Sequence, residues 1–253
     1  MNKRLEGQVV LVTGAGSGIG AAAALGFAAE GARVVLAGRR EAELAAVARK
    51  IEEARGAAAI VPTDITNPEA VESLVKGTAD RFGRLDAAFN NAGTTAYSPI
   101  ENLTVEDFDR VMSTNVRGVW LLVKHEVEVM RAMGRGGSIV NTSSIAATGG
   151  TAGLSVYAAS KGALDAMIRV VALEAGPQGV RINNVSPGVI KTPMTAGLPD
   201  AALDQVAAHA ALKRVGEPED VSRVAVWLCT DEARFVTGQS ILVDGGFNIA
   251  GAR

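Results

Sequence analysis

Cysteine and histidine are nearly missing from this 253-residue chain. The single cysteine, Cys229, excludes an internal disulfide and any multi-thiolate metal site. With only His125 and His209 beside it, a Cys/His zinc cluster is excluded too. Carboxylate-only metal sites have no signature here, so no metal is expected. Cys229 lies in the apolar stretch "VAVWLCTDE" and reads as a packed core residue, while both histidines, in "KHEVE" and "AAHAAL", read as helix-surface residues. Aromatic residues make up only 4%, so elements are expected to pack closely through Gly and Ala. Neither sign of charge is in excess: 25 Lys and Arg against 27 Asp and Glu give a net charge of −2, without the concentrated basic face of a nucleic-acid binder. No run approaches the ~18 apolar residues that cross a bilayer. The start, "MNKRLEGQVVLVTGAG", has no apolar core of signal-peptide length before its glycines. The expectation is a soluble, reduced, cytoplasmic protein that engages neither nucleic acid nor membrane.

What the chain does have is alternation. Short β-branched runs lie at 9–13, 33–37, 58–62, 85–89, 138–143, 180–186 and 240–244. Between them stand Ala-rich helical stretches near 18–30, 41–55, 67–82, 104–133, 155–176 and 217–229. Strands apolar on both faces, alternating with helices, predict a single α/β domain over 1–253: a doubly wound parallel sheet of about seven strands with helices on both faces. Ligands of such a sheet bind beyond the carboxyl ends of its strands. One segment breaks the rhythm. Residues 188–216, glycine-bounded and carrying Pro193 and Pro199, are too long for a routine connection and read as a lid. Inside it Leu203, Val206, Ala207 and Ala210 have the spacing of a weak amphipathic helix.

Three stretches at strand ends carry chemistry. After the first strand, "TGAGSGIG" crowds Gly14, Gly16, Gly18 and Gly20 into a strand-to-helix turn. Glycines there let backbone approach a pyrophosphate, and the following helix offers free N–H groups and a partial positive charge. Two glycine registers fit this turn, so the spacing alone leaves the motif open. In "SVYAASKG", Tyr157 and Lys161 stand four apart and share one helix face, where the ammonium would favour phenolate. Ser143 and Ser144 follow "SIVNT", where a hydroxyl can donate to a carbonyl oxygen as charge develops, or simply cap a turn. A hydrolase "G-x-S-x-G" does occur, but its serine, Ser17, lies inside the glycine turn. Asn115 sits mid-helix, where by itself it reads as a surface residue or a local bend.

Taken in order, "TGAGSGIG", "NNAG" (90–93), "STNVRG" (113–118), "SS" (143–144), "YAASK" (157–161), "SPG" (186–188) and "VDGG" (243–246) resemble the short-chain dehydrogenase/reductase family over essentially the whole chain. The resemblance selects the register of Gly14, Gly18 and Gly20, and implies a Rossmann-type fold. It implies a nicotinamide-dependent oxidoreductase for a secondary alcohol or ketone, with Asn115, Ser144, Tyr157 and Lys161 as catalytic tetrad. Ser144 is preferred over Ser143 because it lies thirteen residues before Tyr157, the family spacing. In the implied mechanism Tyr157 exchanges the proton and Ser144 holds the substrate oxygen. Lys161 lowers the Tyr pKa and bonds the nicotinamide ribose, and Asn115 supports a water relay through a helix distortion. The cofactor would also meet Gly16, Ser17, Ile19, Asp64, Ile65, Asn91, Ala92, Gly93, Pro187, Gly188, Ile190 and Thr192. The implied substrate walls are Thr94, Tyr97, Ala146, Val189, Met194 and Leu198, mostly apolar or small, which suits a small to medium apolar ketone. A β-ketoacyl thioester and a sugar or polyol are the alternatives, and a non-catalytic nucleotide-binding scaffold is disfavoured because Tyr157 and Lys161 are both retained. A homotetramer is the common family state. In "RINNVSPG" many members carry Ala where this chain has Asn184.

The family pattern also frames "GRR". NAD-preferring relatives end the second strand on an Asp that accepts from the adenosine ribose. That position is Gly38 here, followed by Arg39 and Arg40. A guanidinium can fork onto a 2′-phosphate and stack on adenine. NADP(H) is therefore expected to be favoured over NAD(H), incompletely, because Ser17 stands where some NADP-type members carry a basic residue.

Overall fold

Residues 3–249 are described by the computed structural model. The apolar runs become β1 (Val9–Thr13), β2 (Arg33–Gly38), β3 (Ala57–Pro62), β4 (Ala87–Asn90), β5 (Gly137–Thr142), β6 (Val180–Pro187) and β7 (Ser240–Val243). They form one parallel sheet ordered β3-β2-β1-β4-β5-β6-β7. Both faces of the sheet are covered, so Val and Leu fill β1, Ala and Phe fill β4, and no residue of either strand is left exposed. The helices are α1 (Gly18–Ala29), α2 (Glu41–Glu53), α3 (Pro68–Phe82), α4 (Val105–Met112), α5 (Val119–Met133), α6 (Ser155–Ala175), α7 (Asp200–His209) and α8 (Pro218–Leu228).

Two cores flank the sheet. On one face Phe27 of α1, Leu44 and Ile51 of α2, and Val221 and Leu228 of α8 pack on Val10, Val12, Leu36 and Phe89. On the other, Leu74 of α3, Leu122 and Met130 of α5, and Leu164 and Ile168 of α6 cover Leu11, Val35, Ile139 and Ile182. Each such side chain, fully buried, contributes about 1.5–3 kcal/mol. The sheet is the expected doubly wound one. Its order reverses between β1 and β4, where a crevice opens at the carboxyl ends of the strands.

Two local expectations change. The predicted helix over 104–133 is three pieces, with one π-helical turn over Ser113–Gly118 between α4 and α5. His125, expected on the surface, is 7% exposed because α5 packs side by side with α3 on that face of the sheet; its Nδ1 meets Glu128 at 3.3 Å. Cys229 is buried in the first core, and burial pushes its thiol up to about 12. The segment 188–216 leaves and returns at one point: Lys191 N–H donates to Gly216 O (2.9 Å) and Gly216 N–H to Val189 O (3.0 Å). Helix α7 rides on this loop and buries none of its residues, while Ala210 just beyond it is buried.

Candidate active site

The crevice between β1 and β4 is a cleft of about 630 Å³. Its floor begins with the glycine turn. Gly14 has φ +64°, and a Cβ there would lie 2.9 Å from the Ala92 backbone; at Gly20 a Cβ would lie 2.2 Å from Gly14 O. The turn thus folds onto itself and onto the end of β4. Thr13 Oγ1 locks the two strand ends together by accepting from Asn91 N–H (3.1 Å) and Ala92 N–H (3.3 Å). Gly16, Ser17, Gly18 and Ile19 border the cleft, and the first turn of α1 has no side-chain cap. N–H groups at a helix start that no side chain caps fit a pyrophosphate.

At the far end of β2, Gly38, Arg39 and Arg40 border the same cleft with Thr63, Asp64 and Ile65 from the β3 end. Arg40 is already engaged: it pairs with Glu43 at 2.7 Å and reaches Ser17 Oγ at 3.4 Å. Thr66 donates to Asp64 Oδ1 from its N–H (2.9 Å) and hydroxyl (2.8 Å), holding that carboxyl below its ordinary range.

The chemical end of the cleft lies beyond β5. Ser144 Oγ accepts from Ala146 N–H (3.1 Å) and shares the cleft with the Tyr157 phenol, whose ionised form it favours. Ser143 instead turns into the core and donates to Asp165 at 2.8 Å. Lys161 Nζ donates to Thr142 O at 2.6 Å and lies 5.6 Å from the centre of the Tyr157 ring. Burial lowers the Lys161 pKa to about 8, opposed by the charge of Asp165. The expected lowering of the Tyr157 pKa by Lys161 is not what this geometry gives. Burial raises the phenol, and the Ser144 hydroxyl pulls it only part of the way back.

Asn115 is buried, not on the surface. The π-helical turn rotates it inward, where its Oδ1 accepts from Thr94 N–H (2.9 Å) and its Nδ2 donates to Thr94 O (2.8 Å) and Ser160 Oγ (3.1 Å). Gly93 leaves room here: a Cβ on it would sit 3.4 Å from Asn115 Oδ1 and 3.8 Å from Lys161 Nζ.

From the anticipated cofactor and substrate residues, Asn91, Ala92, Gly93, Pro187, Gly188, Ile190, Thr192, Thr94 and Met194 also border the cleft. Tyr97, Ala146, Val189 and Leu198 are not among its lining residues: Ala146 is buried, and Tyr97 and Leu198 are 73% and 42% exposed. Glu43, Thr63, Arg110 and Thr114 line it without having been anticipated. The signal for Glu43 was its i+3 spacing from Arg40, which reads equally well as a surface pair. Arg110 is held by Thr94 Oγ1 (2.9 Å), Thr95 O (3.1 Å) and Asp107 (2.8 Å). A second, more open hollow of about 860 Å³ lies under α7 and is lined by ion pairs such as Arg214–Asp220; it contains none of these groups. Among the described residues no His/Cys/Asp/Glu group gathers as for a metal, and no helix is long and apolar enough to cross a membrane.

Known proteins bear on the same residues. A family model described as Enoyl-(Acyl carrier protein) reductase matches residues 14–248. The A-factor type gamma-butyrolactone 1′-reductase (1S-forming) of Streptomyces virginiae is 41% identical, over 97% of each chain. The 3-oxoacyl-(acyl-carrier-protein) reductase FabG of Thermotoga maritima is 38% identical, over 97% of this chain and 100% of that one. A crystal structure of a short-chain type dehydrogenase/reductase from Mycobacterium marinum superimposes with a TM-score of 0.94 at 31% identity, covering 98% of both chains. Sequence, sheet order and cleft agree, and the chain belongs to the short-chain dehydrogenase/reductase family, oxidoreductases that use a nicotinamide cofactor on carbinol and carbonyl carbons.

Proposed function

We propose that this protein reduces a small to medium, largely apolar ketone, and oxidises the matching secondary alcohol, with NADP(H) favoured over NAD(H). The observation that carries the reading is the gathering of Ser144, Tyr157 and the buried Lys161, its Nζ 5.6 Å from the centre of the Tyr157 ring, in the cleft that the glycine turn opens. When bound, the nicotinamide cofactor supplies or accepts the hydride. Tyr157 gives its phenolic proton to the carbonyl oxygen in reduction and, as phenolate, takes the hydroxyl proton in oxidation. Ser144 donates to the same oxygen as negative charge grows on it. Lys161 binds the nicotinamide ribose and turns its charge towards the phenolate; the positive ring of the oxidised cofactor adds to that pull. Asn115 supports the water that returns protons to the site.

Gly14, Gly16, Ser17, Gly18, Ile19 and Gly20 would hold the pyrophosphate of the bound cofactor, Asp64 and Ile65 its adenine, Asn91, Ala92 and Gly93 its body, and Pro187, Gly188, Ile190 and Thr192 its carboxamide. Gly38 offers no carboxylate to a ribose hydroxyl. Arg40 is matched by Glu43, so Arg39 is the guanidinium left for a 2′-phosphate, with Arg40 assisting from the glycine-turn side. Thr94 and Met194 bound the substrate space, and residues 188–216 close over it as a lid hinged at the Val189–Gly216 pairing.

Both relatives described above are named reductases, which supports carbonyl reduction as the working direction. A β-ketoacyl thioester is the second reading, favoured by the name of the Thermotoga relative. The test is a spectrophotometric panel of simple ketones, β-ketoacyl thioesters and their alcohols with NADPH and NADH. Faster turnover of simple ketones with NADPH is expected; a thioester preference would move the reading to the second, and no turnover at any pH would overturn both. A homotetramer is also proposed, supported by apolar residues left exposed on α4, α5 and α6: Phe108, Trp120, Val170 and Leu173.

A further inference from the structure

Asn184, the departure noted in "RINNVSPG", lies in a row of polar side chains that crosses the second core. Strand register places Asn90 beside Asn141, Asn141 beside Asn184, and Asn184 beside Ser240. All three asparagines are buried, at no more than 1% exposure. Their amides are linked in one direction: Asn90 Nδ2 donates to Asn141 Oδ1 (3.1 Å), and Asn141 Nδ2 to Asn184 Oδ1 (3.0 Å). Asn184 Nδ2 then donates to Asp165 Oδ1 (2.8 Å) and to Ser240 Oγ (3.2 Å). The same Asp165 oxygen accepts from Ser143 (2.8 Å) and Ser240 (2.8 Å). Three donors, from the end of β5, from β6 and from β7, therefore converge on one oxygen of α6.

Where that oxygen sits matters more than how many partners it has. Asp165 lies four residues after Lys161, one helical turn further along α6, and is 8% exposed. Ser143, which it holds, is bonded in sequence to Ser144 and to Thr142, whose carbonyl receives the Lys161 ammonium. The path from Asp165 to Ser144 thus runs through one residue, Ser143, and the path to the Lys161 ammonium through two, Ser143 and Thr142. A hydrophobic residue of similar volume would stabilise such a place as well.

We propose that Asp165, held in place by Asn184 and Ser240, is a positioning residue: it fixes the Ser143–Ser144 turn against α6, so that Ser144, Tyr157 and Lys161 address one oxygen atom. This rests on the assignment of Ser144, Tyr157 and Lys161 to catalysis. A displacement of about 1 Å in such a constellation is enough to cost on the order of 100-fold in rate.

The experiment uses the full-length protein and two readouts, hydrogen exchange by mass spectrometry and steady-state kinetics, on Asp165→Ala, Asp165→Asn and Asn184→Ala. In Asp165→Ala, amide protection should fall at 143–147 and in the first turns of α6 while α1 and α2 keep theirs. The kcat for the best ketone should drop by roughly 100-fold, with KM and cofactor affinity changed by less than about three-fold. Asp165→Asn keeps an oxygen at the same place and should recover most of the lost kcat; Asn184→Ala, which leaves the carboxylate with two donors, should fall between. If Asp165→Ala fails to fold, the ranking of Asn184→Ala below wild type in kcat and in protection at 143–147 carries the test. Protection that is unchanged, or lost evenly over the whole sheet, would overturn the proposal, as would a kcat in Asp165→Ala within three-fold of wild type. Local loss of protection in a protein that turns over no carbonyl compound would leave the clasp standing and overturn the assignment of function instead.

Discussion

Tyr157 sits where two opposing forces meet. Burial raises its pKa, and the Ser144 hydroxyl offsets only part of that rise. In reduction the phenol is the reactive form, so a raised pKa keeps the acid available through neutral pH; oxidation needs the phenolate and gains as pH rises. Tyr157→Phe removes the exchangeable proton and leaves the ring, so turnover should fall at least ~1,000-fold while cofactor affinity, read by fluorescence titration, stays within about three-fold. Substantial residual turnover would show that the proton comes from elsewhere. Arg39 makes a separate, equally local claim. A charge-assisted bond to a phosphate is worth about 1.5–3 kcal/mol, so Arg39→Ala should weaken NADPH roughly 10–100-fold and leave NADH nearly unchanged. Equal losses for both cofactors would refute the phosphate role. The residues of these predictions were legible in the sequence because each lies in a short contiguous motif. Asp165 and Asn184 were not, since 19 residues and a strand crossing separate two side chains that meet at 2.8 Å.

At the scale of elements, strand positions could be read closely because β-branched runs bounded by Gly and Asp leave little choice of register. The break in the long helix at Ser113–Gly118 could not be read from periodicity. An extra residue in one helical turn shifts the apolar stripe without interrupting it. What fixes the turn is tertiary: Asn115 grips both backbone groups of Thr94, and a Cβ on Gly118 would lie 2.8 Å from Ile65 O. The join between β1 and α1 is equally tight. Gly20→Ala places a methyl against Gly14 O, so it should lower stability by about 1–3 kcal/mol in thermal or denaturant unfolding. It should also abolish measurable cofactor binding, because relief of the clash must come from the turn itself. Normal cofactor affinity in a folded Gly20→Ala protein would mean that the turn is not the pyrophosphate seat.

For the whole molecule, the other end of the asparagine row is as informative as the first. Asn90 Nδ2 also donates to Glu126 Oε2 at 2.9 Å, and Glu126, the neighbour of His125, is fully buried. Its Oε1 and the Asn90 Oδ1 are both buried acceptors lacking a donor. Burial raises the Glu126 pKa from 4.5 to about 8, so through neutral pH the side chain is largely the uncharged acid, with a proton of its own to donate. The folded state then keeps a proton that the unfolded chain releases. The stability contributed by this group is complete below pH 4.5 and is lost as pH rises towards about 8. Glu126→Gln, which mimics the neutral acid, should flatten that decline: denaturant midpoints of wild type and variant should be close near pH ~5 and diverge, in favour of the variant, near pH ~8.5. Parallel pH curves would show that Glu126 is ionised in the native state.

The Val189–Gly216 pairing has a consequence for the molecule as something that can be rebuilt. Because the outgoing and returning backbones are already hydrogen-bonded at the neck, the chain between them is closed whatever its length, and each doubling of that length adds only about 0.6 kcal/mol of closure entropy. Residues 196–215 are therefore a cassette: a different excursion grafted between Thr195 and Gly216 inherits the sheet, the glycine turn, Thr192 and the acid–base groups unchanged, and alters what the cleft admits.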